Sequence, residues 1–301
     1  MKLEELVNHL TRKGWAAQSR QRPYEESIEG WDPLPVDWDQ LPRGEGFQRE
    51  DFAPNRDRDR WQGRWEEVAD QIHRARQRAG TTPAPTNVDA LAWYLPFHRY
   101  GADSGIYIKE SAVIDLAGRI KAHLLSGLDP ILEAKQLIHQ ALAILFFHEM
   151  FHHRIECFAT RLEIARDAAV YVPYETNVFY PSIGTDELLE EAFACASMIA
   201  RLNEGRYRKA VHDGVRDATR RFLFNWIPTL EPGYRLGVYI KPDRDEVLLA
   251  QIADCSIHPK NPDDWRHALD MTRGFFKVST ITKVVIPKGA TPTIPWLDTT
   301  L

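Results

Sequence analysis

The stretch DPILEAKQLIHQALAILFFHEMFHHRIEC, residues 129–157, carries the strongest local signal in the chain. Asp129 supplies an N-cap, and Pro130 suits the first helical position, where its missing N–H would have had no partner. From Ile131 to about Cys157 neither Gly nor Pro interrupts a run of good helix formers, so one long helix is predicted. Ala141-Leu142-Ala143-Ile144-Leu145-Phe146-Phe147 is apolar on every face, which marks that helix as buried. His148, Glu149 and His152 follow immediately.

Residues four apart lie on one helix face, so His148 and His152 direct two imidazoles at a single ion. Glu149 sits beside them, placed to take a proton from a water rather than to ligate. Burying such a glutamate uncompensated costs on the order of several kcal/mol, whereas a divalent cation makes all three groups favourable. The competing reading is an exposed polar turn with both histidines facing solvent or core carbonyls. His153 is rotated about 100° from His152 and suits an outer-layer or surface role; His139, more than two turns upstream, belongs elsewhere.

A zinc ion, one per chain, needs a third protein ligand and keeps its fourth position for water. A second helix, expected at 188–202 and ended by Asn203-Glu204-Gly205, offers Glu190 and Glu191, with Glu187 just before it. Leu188, Glu191, Ala192, Cys195, Met198, Ile199 and Leu202 follow helical spacing, so Glu191 interrupts an apolar, core-facing stripe. Glu190 aligns instead with Ala194, Ser197 and Arg201 and is the alternative ligand. Cys195, one turn after Glu191, is read as a small apolar core residue.

With these pieces the chain resembles the gluzincin class of zinc metallopeptidases, in which HExxH is followed by a Glu ligand on a second helix. His148-Glu149-Met150-Phe151-His152 matches the first motif, and Leu189-Glu190-Glu191-Ala192-Phe193-Ala194 is similar to the third-ligand segment, with the ligand at Glu191. The resemblance covers about residues 131–202 and implies a zinc peptidase acting on a protein or peptide substrate. One departure is the 38 residues between His152 and Glu191, longer than in thermolysin-like members. The implied chemistry has Glu149 taking the proton of a zinc-activated water and passing it to a leaving amine. The oxyanion then needs a further donor, for which Tyr171, Tyr174 and Tyr180 in the insert, and His212 beyond it, are candidates.

Outward from this centre, Leu3, Leu6 and Leu10 predict a short amphipathic helix ended by Gly14. A Pro- and Trp-rich arm follows to about residue 57. Its Trp15, Trp31 and Trp38 are read as docked on the body, against the alternative of a pro-segment over an active site. Trp61, Trp65, Val68, Ile72 and Ala75 predict a helix closed by Gly80 and a Pro-containing linker at 81–85. Arginines between Arg56 and Arg78 are offset by interleaved acids, so a salt-bridged surface is expected there and not a nucleic-acid groove. A strand at 105–108 and a helix at 113–125 come next. The insert, with pieces at 168–172 and 177–180 broken by Pro173 and Pro181, reads as loop with short strands. A helix is expected at 207–226, strands at 234–240 and 275–287, a helical piece at 264–272, and 247–253 is ambiguous.

The 301 residues are 44% hydrophobic with a formal net charge of −5, enough apolar content for a sizeable core and little for phosphate binding. Cys157, Cys195 and Cys255 form no CxxC pair, which fits a reducing, cytoplasmic setting. The first residues lack a signal-like apolar run, and the seven of 141–147 are about a third of the roughly 20 needed to cross a bilayer. The expected fold is α+β: a mostly helical zincin-like core with short strands at 87–227, an N-terminal arm and helix at 1–80, and a strand-bearing C-terminal region at 228–301. A metal-binding or regulatory protein without turnover is the rival function.

Overall fold

The computed structural model describes residues 3–16, 58–101, 104–125, 127–204, 207, 211–255 and 284–285. Trp31, Trp38, the expected helix at 264–272 and most of the expected strand at 275–287 lie outside the described residues. Helices α1 (Leu3–Arg12) and α2 (Arg58–Ala79) precede strand β1 (Ala92–Leu95), the short α3 (Phe97–Tyr100), β2 (Gly105–Ile108), α4 (Glu110–Lys121) and α5 (Pro130–Arg166). After them come α6 (Tyr171–Tyr174), a π-helical turn (Glu175–Phe179), α7 (Tyr180–Ser182), α8 (Leu189–Leu202) and α9 (Asp213–Trp226). Two 3-10 turns (Ile227–Thr229 and Tyr234–Val238), α10 (Glu246–Asp254) and β3 (Val284–Val285) complete the described elements. The described residues are mostly helical with one small sheet.

Helix α5 is the spine. Asp129 caps it through its side chain, which accepts from the N–H groups of Ile131 and Leu132 at 3.2 and 3.0 Å. It runs nine residues past the expected end, because 158–166 contains no breaker and the chain stops only at Asp167, a left-handed residue with φ 50°. At a rise of about 1.5 Å per residue the helix spans roughly 55 Å. Its N-terminal half packs in a core shared with Val68, Ile72 and Ala75 of α2, Val113 and Ile120 of α4, Met198 of α8 and Phe222 of α9. The C-terminal half, from Phe151 to Leu162, packs instead with Val170, Tyr171 and Tyr174, Phe193 of α8 and Leu248 and Ile252 of α10. His148 and His152 stand where these cores meet.

The α2–α4 crossing depends on a glycine. A Cβ on Gly118 would lie 2.5 Å from Ala75 Cβ and 2.7 Å from the Arg76 backbone nitrogen, so the helices would have to part. Gly118→Ala is therefore expected to destabilise the fold by about 1–3 kcal/mol, seen as a lower melting temperature. An unchanged melting temperature would mean that the crossing relaxes freely.

In the sheet β1 and β2 are antiparallel, with Ala92 opposite Ile108 and Leu95 opposite Gly105; β3 joins β2 in parallel. Leu6 and Leu10 of α1 pack on Phe97 and Cys157, with Trp15 alongside, so this part of the arm docks on the body. The 81–91 segment is pinned: Trp226 Nε1 donates to Pro85 O at 3.0 Å, and Thr86 and Glu231 exchange a backbone and a side-chain hydrogen bond at 2.7 and 2.8 Å.

Three expectations change. The insert is helical where strands were expected. Burial of Tyr171 and Tyr174 against α5 outweighs β-propensity, and Pro173, third in its helix, forfeits no intrahelical bond. The wider π turn carries the chain to Pro181, with the Tyr180 N–H reaching back to Glu175 O. The expected strand at 234–240 is a 3-10 turn packed on α8, where a Cβ on Gly237 would fall 2.3 Å from Cys195 Cβ. Of the helix expected at 207–226, Tyr207 is helical and 208–210 lie outside the described residues; the helix is interrupted at Val211 and His212, and α9 starts at Asp213, where the His212 side chain caps it by accepting from the Gly214 N–H. The ambiguous 247–253 is helical, within α10.

Candidate metal centre

One turn of α5 and the first turn of α8 build the site. His148, His152 and Glu191 each present a ligand atom within 4.8 Å of the others, and all three are buried. His148 Nε2 lies 3.1 Å from Glu191 Oε2, His152 Nε2 lies 3.5 Å from the same oxygen, and the two Nε2 atoms are 3.4 Å apart. Three donors thus face one point from two helices. Neutral imidazole nitrogens with a carboxylate oxygen are a donor set that suits zinc.

Glu190 occupies the next layer out. His152 Nδ1 donates to Glu190 Oε1 at 2.6 Å, and the Tyr174 hydroxyl donates to Glu190 Oε2 at 2.6 Å. A carboxylate that holds Nδ1–H fixes the tautomer that leaves Nε2 for an ion. Glu190→Gln or Tyr174→Phe should accordingly weaken metal affinity by about 10–100-fold, measured by chelator competition; a change below twofold would show that His152 is held by packing alone.

Charge in the site follows from burial. Burial lowers the His148 pKa and keeps that ring neutral, as ligation requires. His152 goes the other way: burial opposes its charge, but Glu191 and the hydrogen bond to Glu190 overcome it and hold its pKa well above the ordinary value. Glu191, although buried, is kept below the ordinary carboxylate range by His152 and His148. The pocket thus stabilises positive charge between its carboxylates. Glu149 is 1% exposed, and burial raises its pKa well above the ordinary value. Its Oε1 has no hydrogen-bond partner. An orphaned buried carboxylate oxygen beside two imidazoles fits a site built around a cation and its water.

Two residues outside the sequence reading join this group. Tyr234 stacks on His148 with ring centroids 5.9 Å apart and planes at 14°. Its hydroxyl donates to Asp89 Oδ2 at 2.9 Å. Asp89 is exposed as a residue, yet one of its carboxylate oxygens lies within 4.8 Å of ligand atoms of both His148 and Glu149. Burial of that carboxylate, with Glu191 nearby, pushes its pKa up to about 7. No local periodicity singles out either residue.

No protein-family model matches the chain, and neither a curated protein nor a solved structure matches it.

The remaining sequence candidates take other places. Tyr171 stacks on His98 at 4.7 Å, and Tyr174 serves Glu190. Tyr180 is 49% exposed. The His212 N–H donates to Gln136 Oε1, which sits 12 residues, or about 18 Å along α5, before His148. Cys195 is buried in the core with Sγ 3.7 Å from His148 Nδ1, and His139 stacks on Tyr207. His153 is buried and turned to another cluster, its Nδ1 2.9 Å from the Tyr94 hydroxyl.

That second cluster lies further along the same polar stripe of α5. His98 Nδ1 is 2.6 Å from Glu156 Oε1 and its Nε2 2.8 Å from Glu163 Oε2, with all three side chains fully buried. Glu156 also accepts from the backbone N–H groups of Phe97 and His98 and from the Tyr94 hydroxyl; Glu163 accepts from Val170 and Tyr171. The sequence carries its signal, Glu156 and Glu163 at helical spacing in a buried helix, but nothing local points to His98.

Among the described residues no helix is long and apolar enough to cross a membrane.

Proposed function

We propose that the protein is a zinc-dependent hydrolase of gluzincin type, cleaving amide bonds in a protein or peptide substrate. The observation that carries this reading is the convergence of His148, His152 and Glu191 beside a buried Glu149 whose Oε1 has no partner. His148, His152 and Glu191 would hold the ion, which when bound supplies Lewis-acid polarisation of a carbonyl and a more acidic water. Glu149 takes the proton of the attacking water and returns it to the leaving amine nitrogen, work that suits a carboxyl with a raised pKa. Glu190 and Tyr174 hold His152 in register throughout. Tyr234, with its ring on His148 and its hydroxyl on Asp89, joins the insert tyrosines as a candidate donor to a developing oxyanion.

Metal analysis tests the reading. Purified protein is expected to carry one zinc per chain, and His148→Ala and Glu191→Ala to lose it while keeping their helical circular dichroism. Metal-free wild-type protein with intact helices, after exposure to zinc, would sink it. A second reading, a metal-holding protein without turnover, draws on the burial of His148, Glu149, His152 and Glu191, each at most 8% exposed. The response to Glu149→Gln separates the two.

A further inference from the structure

We propose that Asp89 is a fourth protein donor to the cation held by His148, His152 and Glu191, closing the site from the loop side. The inference rests on the metal centre of the preceding reading. It does not require that the protein turn over a substrate.

Two donor groups share His148. His148, His152 and Glu191 form one; Asp89, His148 and Glu149 form the other, each set with ligand atoms within 4.8 Å of one another. A carboxylate with an oxygen within 4.8 Å of one on Glu149 repels it unless positive charge lies between them. The orphaned Oε1 of Glu149, almost wholly buried, is independent evidence that this space is built for a partner outside the protein's own hydrogen bonds.

The loop that presents Asp89 is held in place. Asn87 Oδ1 accepts from the Ala90 N–H at 2.9 Å, Lys109 Nζ donates to Ala90 O at 2.8 Å, and Thr86 is tied to Glu231. Tyr234 then bridges the two halves of the arrangement, its ring on His148 and its hydroxyl on Asp89. That hydroxyl acts on Asp89 as Glu190 acts on His152: it orients a donor from behind. Asp89 is exposed as a residue while its carboxylate is turned inward to His148 and Glu149.

Zinc affinity, measured by chelator competition on wild type, Asp89→Asn and Tyr234→Phe, tests the assignment. Asp89→Asn is expected to retain one zinc per chain but to bind it more weakly by over about 100-fold, beyond the loss of an outer partner. Tyr234→Phe should cost about 10–100-fold. In cobalt-substituted protein the visible absorption should change in Asp89→Asn. Affinity within twofold of wild type and an unchanged cobalt spectrum would overturn the proposal while leaving the three-ligand site standing. Two zincs per chain falling to one in Asp89→Asn would also overturn it, in favour of a separate second site. A wild-type chain that binds no zinc would remove the metal centre itself, a distinct outcome.

Discussion

Glu149→Gln is expected to leave one zinc per chain bound while lowering amide hydrolysis by a factor of about 10² to 10⁴. The substitution is nearly isosteric, so the packing around the buried side chain is kept. The capacity to take a proton is what disappears. Hydrolysis of a mixed peptide library, followed by mass spectrometry, gives the activity; metal content of the same preparation gives the ligation. Loss of both would make Glu149 a ligand and not a base. Full zinc loading with every measured function unchanged would favour the non-catalytic reading.

His98→Ala is expected to destabilise the fold by about 3–5 kcal/mol, because it leaves Glu156 and Glu163 buried without their shared cation. Denaturant midpoints measure this, and a loss below about 1 kcal/mol would show that the carboxylates are satisfied without the ring. The pH dependence has a definite sign. Burial opposes a charge on His98, but Glu163 and the hydrogen bonds to both glutamates raise its pKa from 6.5 to about 10. A pKa raised on folding means that this stabilisation is complete below about pH 6.5 and is lost as pH rises through about 10. Stability that grew between those limits, or a folded-state His98 titrating near 6.5, would contradict it.

The two buried polar groups lie on one helix but call for different partners. The His98 cluster closes on itself: one cationic ring lies between two carboxylates, and the remaining lone pairs meet backbone N–H groups and the Tyr94 hydroxyl. The His148 group does not, since Glu149 Oε1 is unpaired and Asp89 adds further negative charge. The contrast supports assigning an ion to one and a structural role to the other.

Much of the centre was legible before any fold was known, because it is written in helical periodicity. A four-residue spacing places His148 and His152 on one face of α5, and the interruption of an apolar stripe turns Glu191 inward on α8; both are local properties of single helices. The insert was misread for the opposite reason. Its aromatic and β-branched residues favour strands in isolation, and only packing against α5 and α10 makes α6 and the π turn the better arrangement.

What the sequence by itself determined is the capped, buried helix, the two imidazoles with their neighbouring carboxylate, and the inward glutamate of the second helix. Tertiary structure alone decided that Glu190 stands behind His152, that Tyr234 lies on His148, that Asp89 reaches the same space, and that His98 joins Glu156 to Glu163. The partners in these pairings lie 38 to 86 positions apart along the chain. No periodicity links such positions, so only the folded packing of α5 against its neighbours brings them together.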